Sequence, residues 1–126
     1  MTETVLGIVN NELKKIGVPY EFMRWTSDVR YPYWIGEFTE SPTDTEDGYQ
    51  DCTFMLTGTI KGSWLELLQQ KAKIQDHFPT VGGLRTITDQ GVVVIFYSNS
   101  FPVDTGDEDL KRIQINLQIK AWKGMK

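Results

Sequence analysis

The sequence has few of the residues on which catalytic and metal sites depend. It contains one cysteine, Cys52, and one histidine, His77, in 126 residues. A single cysteine excludes an internal disulfide and suits a reducing cytoplasm. The usual zinc ligand sets need several histidines and cysteines together, so they are excluded as well. We therefore expect no metal and no cofactor.

Long apolar runs are missing too, and so are basic residues in two segments. No apolar stretch approaches the roughly 18 residues of a membrane-spanning helix, so we expect no membrane partner. Residues 1–4 are acidic and lack the basic start of a secretory signal. Segments 40–51 and 98–110 hold nine of the 17 acids and no base, which leaves eight acids against 13 bases elsewhere. Repulsion within such segments predicts two mobile acidic loops, at about 40–50 and 98–110, on a mildly basic body.

The clearest pattern present is a strict alternation of polar and apolar residues over 112–120. Such alternation predicts a strand with one buried face and one wet face. The inward residues are Ile113, Ile115, Leu117 and Ile119, and the outward ones are Arg112, Gln114, Asn116, Gln118 and Lys120. None of the outward residues is of a typical catalytic type. We expect this last strand to lie at an exposed edge of a sheet.

Two helices and five further strands complete the prediction. Apolar spacing predicts an amphipathic helix over 4–16 and a second over 63–78, where Ser63 and Glu66 fit a capping box. Strands are predicted at 20–25, 33–38, 52–60, 84–88 and 92–97. We expect the first two to form an antiparallel hairpin, the last two to form another, and 92–96 to be buried on both faces.

This pattern predicts one α+β domain spanning 1–126. Its mainly antiparallel β-sheet is packed on one face by two helices, in the order α-β-β-β-α-β-β-β.

Neither His77 nor Cys52 is expected to be catalytic. His77 falls in the last turn of the second helix, where it favours the negative end of the helix dipole. Cys52 falls on an inward strand position, so we interpret it as a buried structural cysteine. The segment from Asp44 to Gly48 lacks the ligand spacing of a calcium loop. We therefore expect no catalytic residue and no metal ligand, and we expect that the protein is not an enzyme.

The remaining unusual residues favour an interaction surface. The 40–50 loop is too long for an ordinary hairpin connection and favours docking on a basic partner surface. Trp122 follows the inward Ala121 and therefore lies on the wet face, where tryptophan often anchors an interface. Trp25, Trp34 and Trp64 fall at core positions. The predicted interface consists of Asp44, Glu46, Asp47, Tyr49 and Trp122.

The order of elements resembles the tail terminator, or tail-completion, proteins of long-tailed bacteriophages. The likeness is carried by the helix at 4–16, the strands at 20–25 and 33–38, the strand at 51–60 that runs into the helix at 63–78, and the strand at 111–122. The resemblance implies a structural virion protein, from a phage or prophage, that caps the tail tube as a hexameric ring. Its implied partners are copies of itself, the tail tube protein and the head-side connector, with DNA only passing through the lumen. The implied location is the head-proximal end of the tail, after assembly in the bacterial cytoplasm.

Two interpretations from other classes stay open. A small-molecule or peptide-binding module would need polar groups among the aromatic residues, for which Tyr97, Arg24 and His77 are the candidates. An enzyme of an unfamiliar α+β type is the other, although no second histidine or reactive acid pair supports it.

Overall fold

The computed structural model describes residues 2–40 and 49–123. Within them the α+β class and the order α-β-β-β-α-β-β-β are confirmed. The two helices are α1 (Thr2–Lys15) and α2 (Leu65–His77). The six strands are β1 (Tyr20–Phe22), β2 (Tyr33–Glu40), β3 (Tyr49–Lys61), β4 (Leu84–Thr88), β5 (Gly91–Val103) and β6 (Leu110–Lys123).

The six strands form one sheet in the spatial order β1-β2-β3-β6-β5-β4. All neighbouring pairs are antiparallel except β1 and β2. β6 therefore lies in the middle of the sheet between β3 and β5. The predicted edge position of this strand is wrong, because period-two alternation identifies the buried face and carries no information about neighbours.

The two helices cover one face of the sheet, and the core lies between these layers. Val9 and Leu13 of α1, together with Leu67 and Ile74 of α2, have no exposed surface. α1 ends in a Schellman motif, in which the Val18 N–H donates to the Leu13 carbonyl at 3.1 Å. Gly17 takes a φ of 73° in this motif, a conformation that a side chain disfavours.

Glycine also makes room for the largest core side chain. Trp34 of β2 is fully buried, and its register partner on β3 is Gly58. A Cβ atom at Gly58 would lie 2.7 Å from the Trp34 ring, well inside van der Waals contact. The indole of Trp34 therefore packs directly over the β3 backbone.

The predicted hairpin of the first two strands is wrong, because β1 runs parallel to β2. β1 ends at Phe22, and the chain turns at Met23 with a φ of 72°. The Glu21 carboxylate then accepts hydrogen bonds from the Thr26 N–H and hydroxyl and from the Ser27 N–H. These bonds order the connection that returns the chain to the start of β2.

The second acidic loop is shorter than predicted. Residues 98–103 belong to β5, which continues past an irregularity between Tyr97 and Asn99, so the loop spans only 104–109. Its acids organise it: Asp104 accepts from the Gly106 N–H and Asp107 accepts from the Asp109 N–H, both at 2.9 Å. The predicted boundary is wrong because residues 98–103 lack basic residues and were grouped with the acids, although the acids begin only at Asp104 and strand pairing continues to Val103.

Three smaller expectations also need correction. α2 begins at Leu65, and Ser63 accepts from the Leu65 N–H at 3.1 Å, so the Ser63–Glu66 capping box does not describe its start. β5 is buried on one face only, since its alternate residues are half-exposed. β3 begins at Tyr49, within the segment predicted as a loop.

Within the part of the chain that the structure describes, no helix is both long enough and apolar enough to cross a membrane.

Candidate interaction surface on the open face of the sheet

Neither helix of the described residues packs on the opposite face of the sheet, and we call that face the open face. On β6 the predicted alternation is confirmed: the inward residues are buried, and the outward residues are half-exposed. Because register partners point to the same side of a sheet, the outward residues of β6 identify those of the neighbouring strands. The open face therefore spans the whole width of the sheet.

Hydrogen-bonded polar side chains fill the centre of the open face. The Asn116 amide donates to Asn99 of β5 at 2.9 Å, and Gln114 donates to Asn116 at 3.0 Å. The Gln118 amide donates to Asp51 of β3 at 3.2 Å. We call Gln114, Asn116 and Gln118 the amide ladder. These residues offer hydrogen bonds and no net charge.

An aromatic pair lies at one end of the open face. Tyr49 of β3 and Trp122 of β6 are register partners, with ring centroids 5.2 Å apart. The Lys120 ammonium lies 4.8 Å from the centroid of the Tyr49 ring, within the range of a cation–π interaction. The structure thus brings together the two described residues that the sequence identified separately as interface candidates.

The pair belongs to a row of large side chains across four strands. Ile87 of β4 pairs with Val92 of β5, and Val92 pairs with Trp122, which pairs with Tyr49. We call these four residues the apolar row. A shallow depression of about 370 Å³ lies beside it, lined by Gly82, Arg85, Val92, Val94 and Trp122. Large apolar side chains near cations are suited to contact with another macromolecule.

Three other predicted interface residues, Asp44, Glu46 and Asp47, lie outside the described residues. The chain containing them leaves β2 at Glu40 and enters β3 at Tyr49. It therefore joins the sheet at the same end as the apolar row.

Cys52 is buried beside acidic groups, as its inward position predicted. Burial, together with the nearby Glu40 and Asp51 carboxylates, raises the pKa of its thiol to about 11. At neutral pH the thiol keeps its proton, so it is a poor nucleophile.

His77 has a partner that the sequence did not reveal. Its Nε2 lies 2.9 Å from a carboxylate oxygen of Glu12, which is a residue of α1 with only 8% exposure. Lys15 donates to the other oxygen of Glu12 at 2.8 Å. Burial raises the pKa of Glu12, but the hydrogen bonds from Lys15 and His77 outweigh it and lower the pKa overall. Only the polarity of position 12 within an apolar helix face could have signalled this link between the helices.

The residues proposed for a small-molecule pocket have separate surroundings. Tyr97 is buried and lies against Ser100 and Lys71, whereas His77 contacts Glu12. Arg24 is exposed in the connection after β1. Among residues 2–40 and 49–123, no group of three or more histidine, cysteine or acidic side chains is arranged to hold a metal ion.

No protein-family model matches this chain, and no curated protein sequence matches it.

Proposed function

We propose that the protein is a structural subunit of a long-tailed phage or prophage virion. It closes into a ring on the tail tube, stops tube growth and provides the surface that joins the head-side connector. It has no catalytic activity in this role. The observation that carries the proposal is the order α-β-β-β-α-β-β-β, on which the resemblance to tail terminators rests.

The chemistry of the open face supports this role. A ring on a tail tube must let DNA pass through its lumen without holding it. DNA is retained chiefly by cations that neutralise phosphates. The amide ladder carries neither a row of cations nor a large apolar surface, so it suits the wall of such a passage.

The apolar row supports contact with a protein partner. Tryptophan and tyrosine contribute a large part of the binding energy at many interfaces. Trp122 and Tyr49 lie together at the end of the sheet where the acidic segment joins it. In the proposed assembly this end contacts the tail tube protein or a neighbouring subunit.

Deletion and complementation in a phage that encodes the protein provide the test. We expect the deletion to yield DNA-filled heads and separate tails of abnormal length, and the native gene to restore joined particles. Normal, joined particles from the deletion would refute the proposal. A reproducible turnover that disappears in His77→Ala would refute the absence of catalysis.

A matched pair of variants tests the apolar row within the same experiment. Trp122→Ser should fail to restore joined particles, whereas Phe101→Ser should restore them. Phe101 is also aromatic and 43% exposed, but it lies on β5 toward the opposite end of the open face. Equal complementation by both variants would exclude the apolar row from the contact.

A further inference from the structure

The exposed apolar side chains of the described residues are concentrated in the two edge strands and in the segments joined to them. Nine large hydrophobic residues are exposed, and six of them flank the two edge strands. At β1 and the connection that follows it, these are Phe22, Met23, Val29 and Tyr31, and at β4 they are Val81 and Ile87. Val81 is 90% exposed and Ile87 is 74% exposed, which are the largest values of the set.

Both edges can accept another strand. Strands at the edge of a sheet present unpaired backbone groups, and proteins usually protect them with proline, charge or bulges. β4 has the sequence Leu-Arg-Thr-Ile-Thr, with no proline and a single charge at Arg85. At β1, the Pro19 carbonyl and the Met23 N–H bond to β2. Alternation along a parallel strand therefore turns the peptide groups of Tyr20 and Phe22 toward the free edge. The Phe22 carbonyl also accepts from the Arg24 N–H at 2.9 Å, so the Tyr20 groups and the Phe22 N–H are the main sites for an added strand.

The two edge strands run in the same direction. Four antiparallel pairings separate β2 from β4, so these two strands are parallel, and β1 is parallel to β2. If copies are related by rotation about an axis parallel to the strands, β4 of one copy therefore lies beside β1 of the next and runs parallel to it. That contact uses unlike surfaces, which is the type of interface that generates rings.

We propose that copies of this chain associate edge to edge, with β4 of one copy pairing in parallel with β1 of the next. This inference names the strands that meet between subunits of the proposed ring. It rests on the ring proposal only in assuming that copies associate through two different surfaces. The occupant of each edge is a second copy of the chain.

The charges of the edge residues, and the sheet face to which each side chain points, determine the register of the contact. On β4, Arg85 and Ile87 point to the open face, as do their register partners Val94 and Val92 on β5. On β1, Glu21 points to the open face, as does its register partner Ile35 on β2. Placing Arg85 beside Glu21 of the next copy joins opposite charges, in addition to the bonds that Glu21 accepts from Thr26 and Ser27. The same register places Leu84 beside Tyr20 and Ile87 beside Met23, so apolar residues meet on both sides of the joined sheet.

Disulfide trapping tests this register directly. The native Cys52 is only 4% exposed, so an introduced cysteine is the accessible thiol of each variant. Met23→Cys and Ile87→Cys are prepared separately, mixed in equal amounts at high concentration and mildly oxidised. Neighbouring strands place Cα atoms about 5 Å apart, within the range that a disulfide spans. We expect the mixture to form a cross-linked dimer and each variant alone to form severalfold less.

Controls distinguish the alternatives. Phe101→Cys mixed with Ile87→Cys measures cross-linking outside the proposed register, since Phe101 is exposed but lies on β5 beyond Ile95, where β4 no longer pairs with it. Arg85→Glu introduced into the Ile87→Cys partner should lower the yield by roughly two- to fivefold, as expected for an exposed ion pair. Cross-linking of Ile87→Cys with itself as strongly as in the mixture would instead establish a two-fold β4–β4 contact. A mixture no better than the Phe101 control would overturn the proposal.

The result is independent of the phage experiment. If trapping fails while the deletion yields unjoined tails, the tail function stands and the edge contact is wrong. If trapping succeeds while the deletion phage is normal, the chain forms edge-linked assemblies that serve another structure.

Discussion

The two faces of β6 differ in nearly every property that governs stability and binding. On the helix side, Ile115, Leu117 and Ile119 have no exposed surface. On the open side, Gln114, Asn116 and Gln118 are half-exposed and hydrogen-bonded to each other or to neighbouring strands. Adjacent residues of one strand thus have different roles, one in the core and the other on the surface. Stability therefore depends on the helix face, and side chains on the open face can change for contact with partners at little cost in stability.

The strongest test of this contrast compares two neighbouring residues. Leu117→Ala should lower the free energy of unfolding by about 2–5 kcal/mol, because it leaves a cavity in a fully buried site. Asn116→Ala should lower it by only about 0.5–1.5 kcal/mol through loss of its hydrogen bonds. Urea denaturation followed by circular dichroism measures both values. Similar losses for the two variants would contradict the division into a stabilising face and a contact face.

Alanine substitutions at two glycines, one in the crowded core and one in open surroundings, should have opposite effects on stability. Gly58→Ala should cost about 1–3 kcal/mol, because the new Cβ meets the buried Trp34 ring. Gly7→Ala in α1 should instead stabilise by about 0.5–1 kcal/mol, since nothing lies within 4 Å and alanine favours a helix. Thermal unfolding measures both, and tryptophan fluorescence reports any shift of Trp34. A neutral Gly58→Ala would mean that the core around Trp34 adjusts freely.

Trp122 should contribute modestly to folding despite its size. Trp122→Ser removes a half-exposed ring and its contact with Tyr49, which should cost about 0.5–1.5 kcal/mol. The same change should abolish joined particles in the complementation assay. A loss of stability as large as that of Leu117→Ala would reassign Trp122 to the core.

The smallest effect concerns the Glu12 contact, which appears in the pH dependence of stability. The pKa of Glu12 is lowered in the folded protein from its ordinary value of 4.5. The ionised carboxylate therefore adds stability above about pH 4.5, and this contribution is lost as the pH falls through the folded pKa. Glu12→Gln should be less stable than the native protein at pH 7, and the difference should shrink toward pH 3.

The exposed Glu3 provides the matched control for this measurement, because Glu3→Gln removes a carboxylate from the same helix without this contact. A difference between Glu12→Gln and the native protein that stays constant with pH would show that burial alone, and no charge, explains the Glu12 effect.

Periodicity and turn chemistry predicted which segments form helices and strands and most of the residues that face the core. The predicted core position of Trp25 is wrong, because β1 ends at Phe22 and Trp25 lies half-exposed in the connection that follows. The direction of β1 was missed because its apolar pattern is the same for a parallel and an antiparallel partner. The central position of β6 was missed for a related reason: alternation defines faces, and spatial neighbours depend on long-range pairing. The extension of β5 to Val103 was missed because an acidic loop followed it.

The candidate surface could be predicted in part. Trp122 was identified by its outward position and Tyr49 by its place in an acidic segment, and these two reasons are unrelated. Their contact depends on the register between β3 and β6, which a single sequence does not contain. Ile87 and Val92 were missed as members of the apolar row. Both belong to the β4–β5 hairpin, and nothing in the sequence indicated that this hairpin pairs with β6.

The central position of β6 also has a consequence for how the chain is made. β3 and β5 are joined only through β6, which the ribosome synthesises after both. Until residue 123 has emerged, the nascent protein consists of two incomplete half-sheets, β1-β2-β3 and β4-β5, each with an unpaired long strand. Such edges are prone to wrong pairing, and distant pairings form slowly. A translation stop near residue 109 should therefore yield insoluble chains, although five of the six strands would be complete.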